Sequence, residues 1–519
     1  MKKSYLRILI ILVLFSNSFS QTTATGTVFL DENKNGIFDL DEKGLSNISV
    51  SNGLDVVKTD NGGKWSLSVG DDTGIFVIKP SGFSVPVNDA QIPQYFYLHK
   101  PNGSPTLDVP GVEPTGTLPQ AIDFPLVPQN ESEAISALFF GDPQARGLKE
   151  VNFIARDVVQ ECIGTDAKFG VSLGDIVADD PALFKEISES VAQIGIPWYN
   201  IFGNHDHNRA AKDDKYKDET FERFFGPSTF AFEYGQTVFI GFKNIYYQPD
   251  GKYKAHFTDE QIAFARNYLK FVHKNKLVVL MMHAPILYTN NRDKIYQLLK
   301  DYPYTLSISG HTHQMAHVFI DEKMDWLGDD QHHHFINATV SGSWWCGMYD
   351  EMGIPHATMN DGGPNGYSII TFDGNQYSIR FKAARRPVDY QMNIYVPDEI
   401  AQADADTTKI LINVFAGSER SKVEMKFGKN GEWTVLEQTI ARDPACLKMH
   451  KLGPYLDLEL DGKKLDEVLG WKMDFPSKSR HMWMGKLPSN PPKGAHTITV
   501  KTTDMFGQIW TDYRIIRIN

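Results

Sequence analysis

Five short segments of this 519-residue chain carry side chains that can bind a metal ion. Each one comes directly after an apolar run and combines a glycine or a turn-forming proline with aspartate, asparagine or histidine. The segments are Gly141-Asp142-Pro143-Gln144, Gly174-Asp175, Gly203-Asn204-His205-Asp206, Met282-His283-Ala284-Pro285 and Gly310-His311-Thr312-His313. Carboxylate, amide and imidazole groups suit hard to borderline divalent cations. The glycines let the backbone turn sharply and approach an ion closely.

Each of these segments on its own has an ordinary structural explanation. A Gly-Asp pair is usually a turn, and a histidine after a strand is more often hydrogen-bonded within the fold than bound to an ion. Five such segments in one chain, all at the ends of predicted strands, favour a shared metal site instead.

Apolar runs predict the strands that position these side chains. The runs are Ile135 to Phe140, Phe169 to Leu173, Trp198 to Phe202, Leu277 to Met282 and Leu306 to Ser309. Helical patterns alternate with them, and Thr258 followed by Gln261 is typical of a capping box at a helix start. This alternation predicts a layered α/β domain. In such a domain the carboxyl ends of the strands border one crevice.

Shifts in composition divide the chain into a leader and three regions. Residues 1–20 are typical of a signal peptide. Residues 21–130 predict an N-terminal β-sandwich domain, with a linker rich in Pro and Gly over 99–130. Residues 131–385 predict the α/β domain, a layered β-sandwich flanked by helices. Residues 386–519 predict a C-terminal β-sandwich.

The first residues and the overall charge indicate the compartment and the kind of partner. A basic start, the apolar run from Ile8 to Phe15 and the small-x-small stretch Ser18-Phe19-Ser20 predict export, to the periplasm or beyond the cell. We expect no membrane insertion once the leader is removed. The formal net charge of −12 argues against binding of long nucleic acids. Three cysteines are too few for a disulfide scaffold.

The five segments resemble the pattern of the calcineurin-like metallophosphoesterase family, which is Asp-x-His, Gly-Asp, Gly-Asn-His-Asp, His and Gly-His-x-His. The resemblance covers about residues 134–345, and the flanking regions are similar to the accessory domains of a Bacteroidetes-type, exported branch of the family. It implies two divalent metal ions (Mn, Fe, Zn or similar) and a small phosphorylated substrate. The implied reaction is hydrolysis of a phosphate mono- or diester by in-line attack of a metal-bridging hydroxide.

The same resemblance implies roles for individual residues. Asp175 would bridge both ions. His205 would contact the phosphate and stabilise or protonate the leaving group, and Asp206 would orient His205. Asp179 and His207 lie close to these segments and would support them. The remaining ligands would divide between two ions, with Asp142, Gln144 and His313 at the first and Asn204, His283 and His311 at the second.

Gln144 departs from the family pattern, which has histidine at this position. A carboxamide oxygen can bind a metal ion, but it is a weaker donor than imidazole. The site is therefore either degraded or holds a first ion that is looser or different, such as Mn²⁺ or Fe rather than Zn²⁺. We favour retained activity, because every other ligand position is filled.

A second candidate ion site lies in the N-terminal region. The spacing of an EF-hand calcium loop is matched by Asp31, Asn33, Asn35, Asp39 and Glu42. The preceding Thr27 to Leu30 predicts a strand, whereas an EF-hand would have a helix there. An Asx-rich turn without calcium is therefore the alternative.

Two segments after the last metal motif are rich in aromatic and polar residues, and we expect them to shape the substrate pocket, although packing and turns are the alternative. Their candidate pocket residues are Trp344, Trp345, His356, Asp361 and Asn365. Consecutive side chains do not easily converge on one ion, so we expect His332-His333-His334 to lie in a solvated loop.

Two functions follow from these patterns. The first is an exported, metal-dependent phosphoesterase. The second is a binding or adhesion protein whose α/β domain is catalytically silent, which the two β-domains and the calcium-like loop favour. Metal content and turnover of simple phosphoesters distinguish the two. The sequence does not indicate an oligomeric state.

Overall fold

A computed structural model describes residues 22–519. The signal peptide predicted over 1–20 lies outside the described residues. Within the described part of the chain, none of the helices combines the length and apolar character that crossing a membrane requires.

The N-terminal region is built from two small sheets. One contains Thr22–Leu30, Lys43–Gly44, Lys64–Val69, Phe83–Ser84 and Phe124–Pro128. The other contains Ser49–Ser51, Val56–Lys58, Thr73–Val77 and Phe96–His99. Side chains alternate along the strands, so that Trp65 and Leu67 are buried while Lys64 and Ser66 face solvent. The predicted all-β character of this region is confirmed.

Two larger sheets form the central region. The five-stranded sheet has the order Trp198–Asn200, Phe169–Ser172, Ala134–Phe140, Gly366–Asp373 and Gln376–Ala383. The six-stranded sheet has the order Phe230–Tyr234, Thr237–Phe242, Leu277–Met282, Thr305–Ser309, His332–Ile336 and Ala316–Ile320. Within each sheet the strands that precede the metal-binding segments are parallel. Their carboxyl ends therefore lie at the same edge of that sheet.

Aromatic side chains pack between the two central sheets. The ring centroids of Phe169 and Phe239 are 5.1 Å apart, and those of Tyr199 and Phe232 are 4.0 Å apart. Each pair joins one residue of the five-stranded sheet to one of the six-stranded sheet. Such rings bury large apolar areas, so they hold the sheets face to face and bring their carboxyl edges together.

Helices cover the outer faces of this sandwich. A helix begins at Leu148–Ile154 and continues through Ala155–Val159 and Gln160–Cys162. It packs with Phe184–Val191 and Glu219–Phe225 beside the five-stranded sheet. Asp259–Leu269 and Arg292–Leu299 pack beside the six-stranded sheet. Thr258 and Gln261 form the predicted capping box. The expected layered β-sandwich flanked by helices is confirmed.

The C-terminal region is a second all-β unit. One sheet has the order Met392–Tyr395, Lys409–Val414, Ser479–Lys486 and Glu437–Ala441, and the other has the order Glu399–Ile400, Ile509–Ile518, Gly494–Thr503, Lys422–Phe427 and Thr434–Val435. An insertion holds two short helices, Pro444–Leu452 and Leu465–Leu469. It ends with Gly470–Trp471, which pairs with Gly347–Met348 of the central region. The two regions are thus joined by backbone hydrogen bonds.

Two expectations about local structure are wrong. Part of the expected linker, Phe124–Pro128, is a strand that pairs with Thr22–Leu30. His332–Ile336 is a fully buried strand rather than a solvated loop. Its imidazoles are accommodated because hydroxyl groups face them: Ser307 Oγ lies 2.7 Å from a ring nitrogen of both His332 and His334.

Candidate metal centre

One group of ligand atoms comes from both central sheets: His283 and His311 follow strands of the six-stranded sheet, and Asp175 and Asn204 follow strands of the five-stranded sheet. His283 Nε2 lies 3.2 Å from Asp175 Oδ2, 3.0 Å from Asn204 Oδ1 and 3.1 Å from His311 Nδ1. Of these side chains only that of His311 is partly exposed. Asp175, His283 and His311 together have the spacing of a metal-binding group.

The hydrogen bonding of His283 directs its Nε2 at the other ligand atoms. Its Nδ1 lies 2.8 Å from the Leu173 carbonyl oxygen, to which it donates, so in the neutral ring Nε2 carries a lone pair that faces the oxygens of Asp175 and Asn204. Burial opposes ionisation of His283, but the adjacent Asp175 carboxylate outweighs it and raises the pKa of the imidazole to about 9. A metal cation among these atoms would take the place of the Nε2 proton.

A second group of ligand atoms combines Asp142 and Gln144, which follow a strand of the five-stranded sheet, with His313, which follows a strand of the six-stranded sheet. His313 Nε2 is 3.3 Å from Asp142 Oδ2, and His313 Nδ1 hydrogen-bonds to the Gly342 carbonyl oxygen. The Oε1 of Gln144 is buried and has no hydrogen-bond partner among the described residues. An unsatisfied buried oxygen costs about 1–3 kcal/mol. The donor set of these three residues fits a metal ion, which would also satisfy that oxygen.

The backbone of five of the seven candidate ligand residues adopts the left-handed region that side chains rarely occupy. The positive φ angles are 36° at Asp142, 45° at Gln144, 46° at Asp175, 74° at His311 and 51° at His313. Each such residue costs on the order of 1–3 kcal/mol, and such strain clusters at functional sites. The turns after the strands therefore aim these side chains at the expense of local stability.

His205 is oriented by Asp179, not by Asp206 as we expected. His205 Nδ1 lies 2.8 Å from Asp179 Oδ1, whose other oxygen accepts from Arg209 at 2.6 Å. Burial lowers the pKa of His205, but the carboxylates of Asp175 and Asp179 outweigh it and raise the pKa above its ordinary value. In the sequence, the feature that pointed to Asp179 was its position close to the Gly174-Asp175 motif.

Asp206 instead holds the loop that carries Asn204 and His205. Its two carboxylate oxygens accept from the backbone N–H groups of Val177, at 3.1 Å, and Gly203, at 2.8 Å. Burial and the nearby Asp175 raise the pKa of Asp206 to about 7. The carboxylate therefore ties two metal-motif loops together and does not contact the His205 ring.

Two tyrosines that the sequence patterns did not single out also border the centre. Tyr247 donates its hydroxyl hydrogen to the carbonyl oxygen of Asn204. The ring centroid of Tyr253 lies 6.1 Å from that of His311, edge to face. Both belong to a small antiparallel pair, Ile245–Tyr247 and Tyr253–Ala255, which carries no metal motif and so gave no local signal.

The candidate pocket residues separate into three places. The half-buried Trp344 ring packs on His313, with centroids 4.3 Å apart, while Trp345 is buried and donates its indole N–H to the Pro143 carbonyl oxygen at 3.1 Å. His356 lines a cavity of about 420 Å³ between the central and C-terminal regions. Asp361 and Asn365 are buried and hydrogen-bonded within the protein, and Asn365 also lines that cavity. Among these five, only Trp344 contacts a ligand histidine.

The calcium-like loop is folded around its own side chains. Asp31 accepts from the backbone N–H groups of Asn35 and Gly36, and the amides of Asn33 and Asn35 donate to Asp39 Oδ2 at 2.8 and 2.9 Å. Glu42 accepts from the backbone N–H groups of Glu32 and Asp39. The predicted residues are thus brought together as an Asx-rich turn, and calcium binding stays a prediction.

Comparisons with known proteins match three family models along the chain. They are the N terminal of calcineurin-like phosphoesterase over residues 32–107, calcineurin-like phosphoesterase over 136–315 and the C terminal of calcineurin-like phosphoesterase over 334–510. No curated protein sequence matches the chain.

Two solved structures show a low similarity to the chain. A purple acid phosphatase from yellow lupin (Lupinus luteus) seeds is 12% identical, with 70% of this chain and 73% of that chain covered and a TM-score of 0.35. A beta-glycosidase from Bacteroides vulgatus is 10% identical, with 91% and 75% covered and a TM-score of 0.15.

Proposed function

Because the chain belongs to the calcineurin-like phosphoesterase family and is a metal-dependent phosphoric ester hydrolase, we propose that it is exported and hydrolyses a small phosphate mono- or diester with two divalent cations. The observation that carries the two-cation proposal is the presence of two groups of ligand atoms, one around His283 and one around His313, together with the unpartnered Oε1 of Gln144.

The residues divide between the two cations by position. Asp142, Gln144 and His313 would hold one, and Asn204, His283 and His311 the other. Asp175 lies between the loops and would be shared. When bound, such cations polarise the phosphoryl group and supply a nucleophilic oxygen from water at neutral pH.

His205 would move the proton that the leaving group needs. Its Nδ1 is held by Asp179, which leaves Nε2 as the nitrogen that can donate, and about a third of the side chain is exposed to the crevice or solvent. The two neighbouring carboxylates favour the protonated ring. Donation of the Nε2 proton to the leaving oxygen would matter most for an alkoxide, which is a poor leaving group.

Export is proposed from the first twenty residues alone, and the periplasm or the extracellular space is the proposed location. Fractionation of cells that express the full-length chain tests it. Accumulation of the unprocessed, full-length protein in the cytoplasmic fraction would contradict the proposal.

The central experiment replaces the shared carboxylate. We expect purified protein with added Mn²⁺ to hydrolyse p-nitrophenyl phosphate or bis-p-nitrophenyl phosphate. Asp175→Asn should lower kcat by about 1000-fold or more, because it removes a charge that both cations need. Asp301→Asn, at an exposed carboxylate, is the control and should keep full activity. If the wild-type protein cleaves neither ester, and Asp175→Asn changes nothing on a wider phosphoester panel, the proposed function is wrong.

A further inference from the structure

The C-terminal region reaches the metal centre through two adjacent residues, Asn360-Asp361. The backbone N–H of Asn360 donates to the carbonyl oxygen of the ligand His313 at 3.2 Å, and the backbone N–H of Met315 donates to Asp361 Oδ2 at 2.7 Å. Asn360 and Asp361 therefore hold the backbone on both sides of residue 314 by hydrogen bonds. These contacts fix the turn that directs His313 toward Asp142.

Asn360 also contacts the loop that orients the His313 ring. Gly342 accepts from His313 Nδ1 and from the hydroxyl of Thr339, and the hydroxyl of Ser343 donates to Asn360 Oδ1 at 3.1 Å. Asn360 thus supports both the backbone of His313, directly, and the His313 ring, through the loop that contains Gly342 and Ser343.

His481 of the C-terminal sheet anchors this support. Its Nε2 lies 3.0 Å from Asp361 Oδ2, and its Nδ1 lies 2.7 Å from Asn413 Oδ1. The amide of Asn413 in turn donates to Asp443 at 2.8 Å. All four side chains are buried, with exposures of 0–2%. A buried polar network that is satisfied in this way is rigid.

We propose that His481 is a positioning residue for the metal ligand His313, so that the C-terminal region controls how tightly the first cation is held. The inference rests on the two-cation site of the proposed function. It applies to one cation only, because the second group is held by different contacts: His283 by the Leu173 carbonyl, and Asn204 by Tyr247. Neither contact involves the C-terminal region.

A matched pair of variants isolates the contact with Asp361. In His481→Gln the amide nitrogen can occupy the place of Nε2 and still donate to Asp361. In His481→Asn the side chain is one methylene shorter and reaches only the place of Nδ1. His496→Gln, at a partly exposed histidine elsewhere in the same region, is the control. Far-UV circular dichroism and thermal unfolding of the metal-free proteins establish that each variant is folded.

The measurement is Mn²⁺ binding, by titration and by metal content after dialysis, without any substrate. We expect two ions per wild-type chain. His481→Asn should weaken one of them about 10-fold or more, the usual cost of disturbing the support of a metal ligand, and leave the other unchanged. His481→Gln and His496→Gln should bind both ions nearly as the wild type does.

Three results would overturn the inference: wild-type affinities in folded His481→Asn, equal weakening in the Gln and Asn variants, or equal weakening of both ions. If His481→Asn does not fold, Ser343→Ala provides a second test of how His313 is positioned, since it removes only the hydroxyl that donates to Asn360. Its expected result is again selective weakening of one ion, and unchanged binding would overturn the inference. Wild-type protein that binds two ions but cleaves no phosphoester would contradict the proposed function and leave this inference standing.

Discussion

At the scale of single residues, the chemistry depends on which atom of each side chain is left free. His283 and His313 each use Nδ1 on a backbone carbonyl oxygen, of Leu173 and Gly342, and so present Nε2 to the metal centre. His205 uses Nδ1 on Asp179 and presents Nε2 to the substrate side. In the proposed function, histidines with similar motifs would thus serve as ligands or as an acid according to their partner.

The contact between His205 and Asp179 predicts that the loss of kcat/KM in variants of either residue depends on the leaving group of the ester. His205→Gln should lower kcat/KM for alkyl phosphoesters by roughly 100- to 10,000-fold, the usual contribution of a general acid. Asp179→Asn should produce a smaller loss of the same kind. Both variants should retain most activity on aryl esters with acidic leaving groups. A plot of log kcat/KM against leaving-group pKa measures this. Asp180→Asn, at the exposed neighbour, should leave its slope unchanged, whereas equal losses on all esters would contradict the role.

At the scale of elements, parallel strands place the ligands and glycine allows the strands to end close together. A Cβ on Gly310 would lie 2.2 Å from Asp142 Oδ1, and a Cβ on Gly203 would lie 2.0 Å from the backbone nitrogen of Asp175. Real atoms do not approach so closely, so only glycine permits the ligand carboxylates to sit at these turns. The glycines before the ligands are therefore part of the site.

Gly310→Ala tests this point. The added methyl group should displace Asp142, which lowers first-ion affinity and reduces phosphoester hydrolysis by about 100-fold or more, because small misplacements of catalytic groups carry such losses. Gly147→Ala is the matched control, since nothing lies within 4 Å of its added methyl group and its φ of 177° suits any residue. Full activity of Gly310→Ala, measured with the same esters and Mn²⁺, would refute the argument.

At the scale of the whole molecule, buried ion pairs join the N-terminal region to the centre. Lys79 Nζ lies 3.1 Å from Glu131 Oε1, and Glu131 also accepts from Ser81 and from the backbone N–H of Gly235. Lys100 pairs with Glu219 at 2.9 Å. Because a buried charge is strongly destabilising without its partner, these contacts make the N-terminal region and the core depend on each other.

Glu131→Ala should lower the free energy of unfolding by about 3–5 kcal/mol at pH 7, because it leaves the Lys79 ammonium buried and unpaired. Burial already lowers the pKa of Lys79 to about 8, and the variant should lower it further. The unfolded chain then binds more protons than the folded one above that pKa, so stability rises with pH there. The destabilisation should therefore be smaller at pH 9 than at pH 7.

Chemical unfolding at both pH values measures the effect of Glu131→Ala. Glu133→Ala, two residues away and exposed, is the control and should change stability by less than about 0.5 kcal/mol. Two outcomes would show that the Lys79–Glu131 ion pair does not join the regions as described. One is a Glu131→Ala variant as stable as the wild type, and the other is a loss of unfolding free energy that grows with pH.

Local patterns were sufficient for much of the fold. The run Leu277 to Met282 is a strand with those bounds, and Thr258 with Gln261 is a capping box, because strand and helix-start signals lie within a few neighbouring residues. The pattern failed at His332–Ile336, since its burial depends on hydroxyls of Thr305–Ser309, a strand far away in sequence. Local polarity contained no information about those partners.

The sequence by itself determined the candidate ligands, from Asp142 to His313, and their order along parallel strands. It did so because ligand type and the strand before it are local properties of the chain. Only the tertiary structure decided what orients them: Asp179 rather than Asp206 for His205, and His481 through Asp361 for the turn of His313. These contacts join residues 26 to 120 positions apart, and no local pattern encodes a distance of that kind. Orientation arises from packing between regions, so it exists only in the folded molecule.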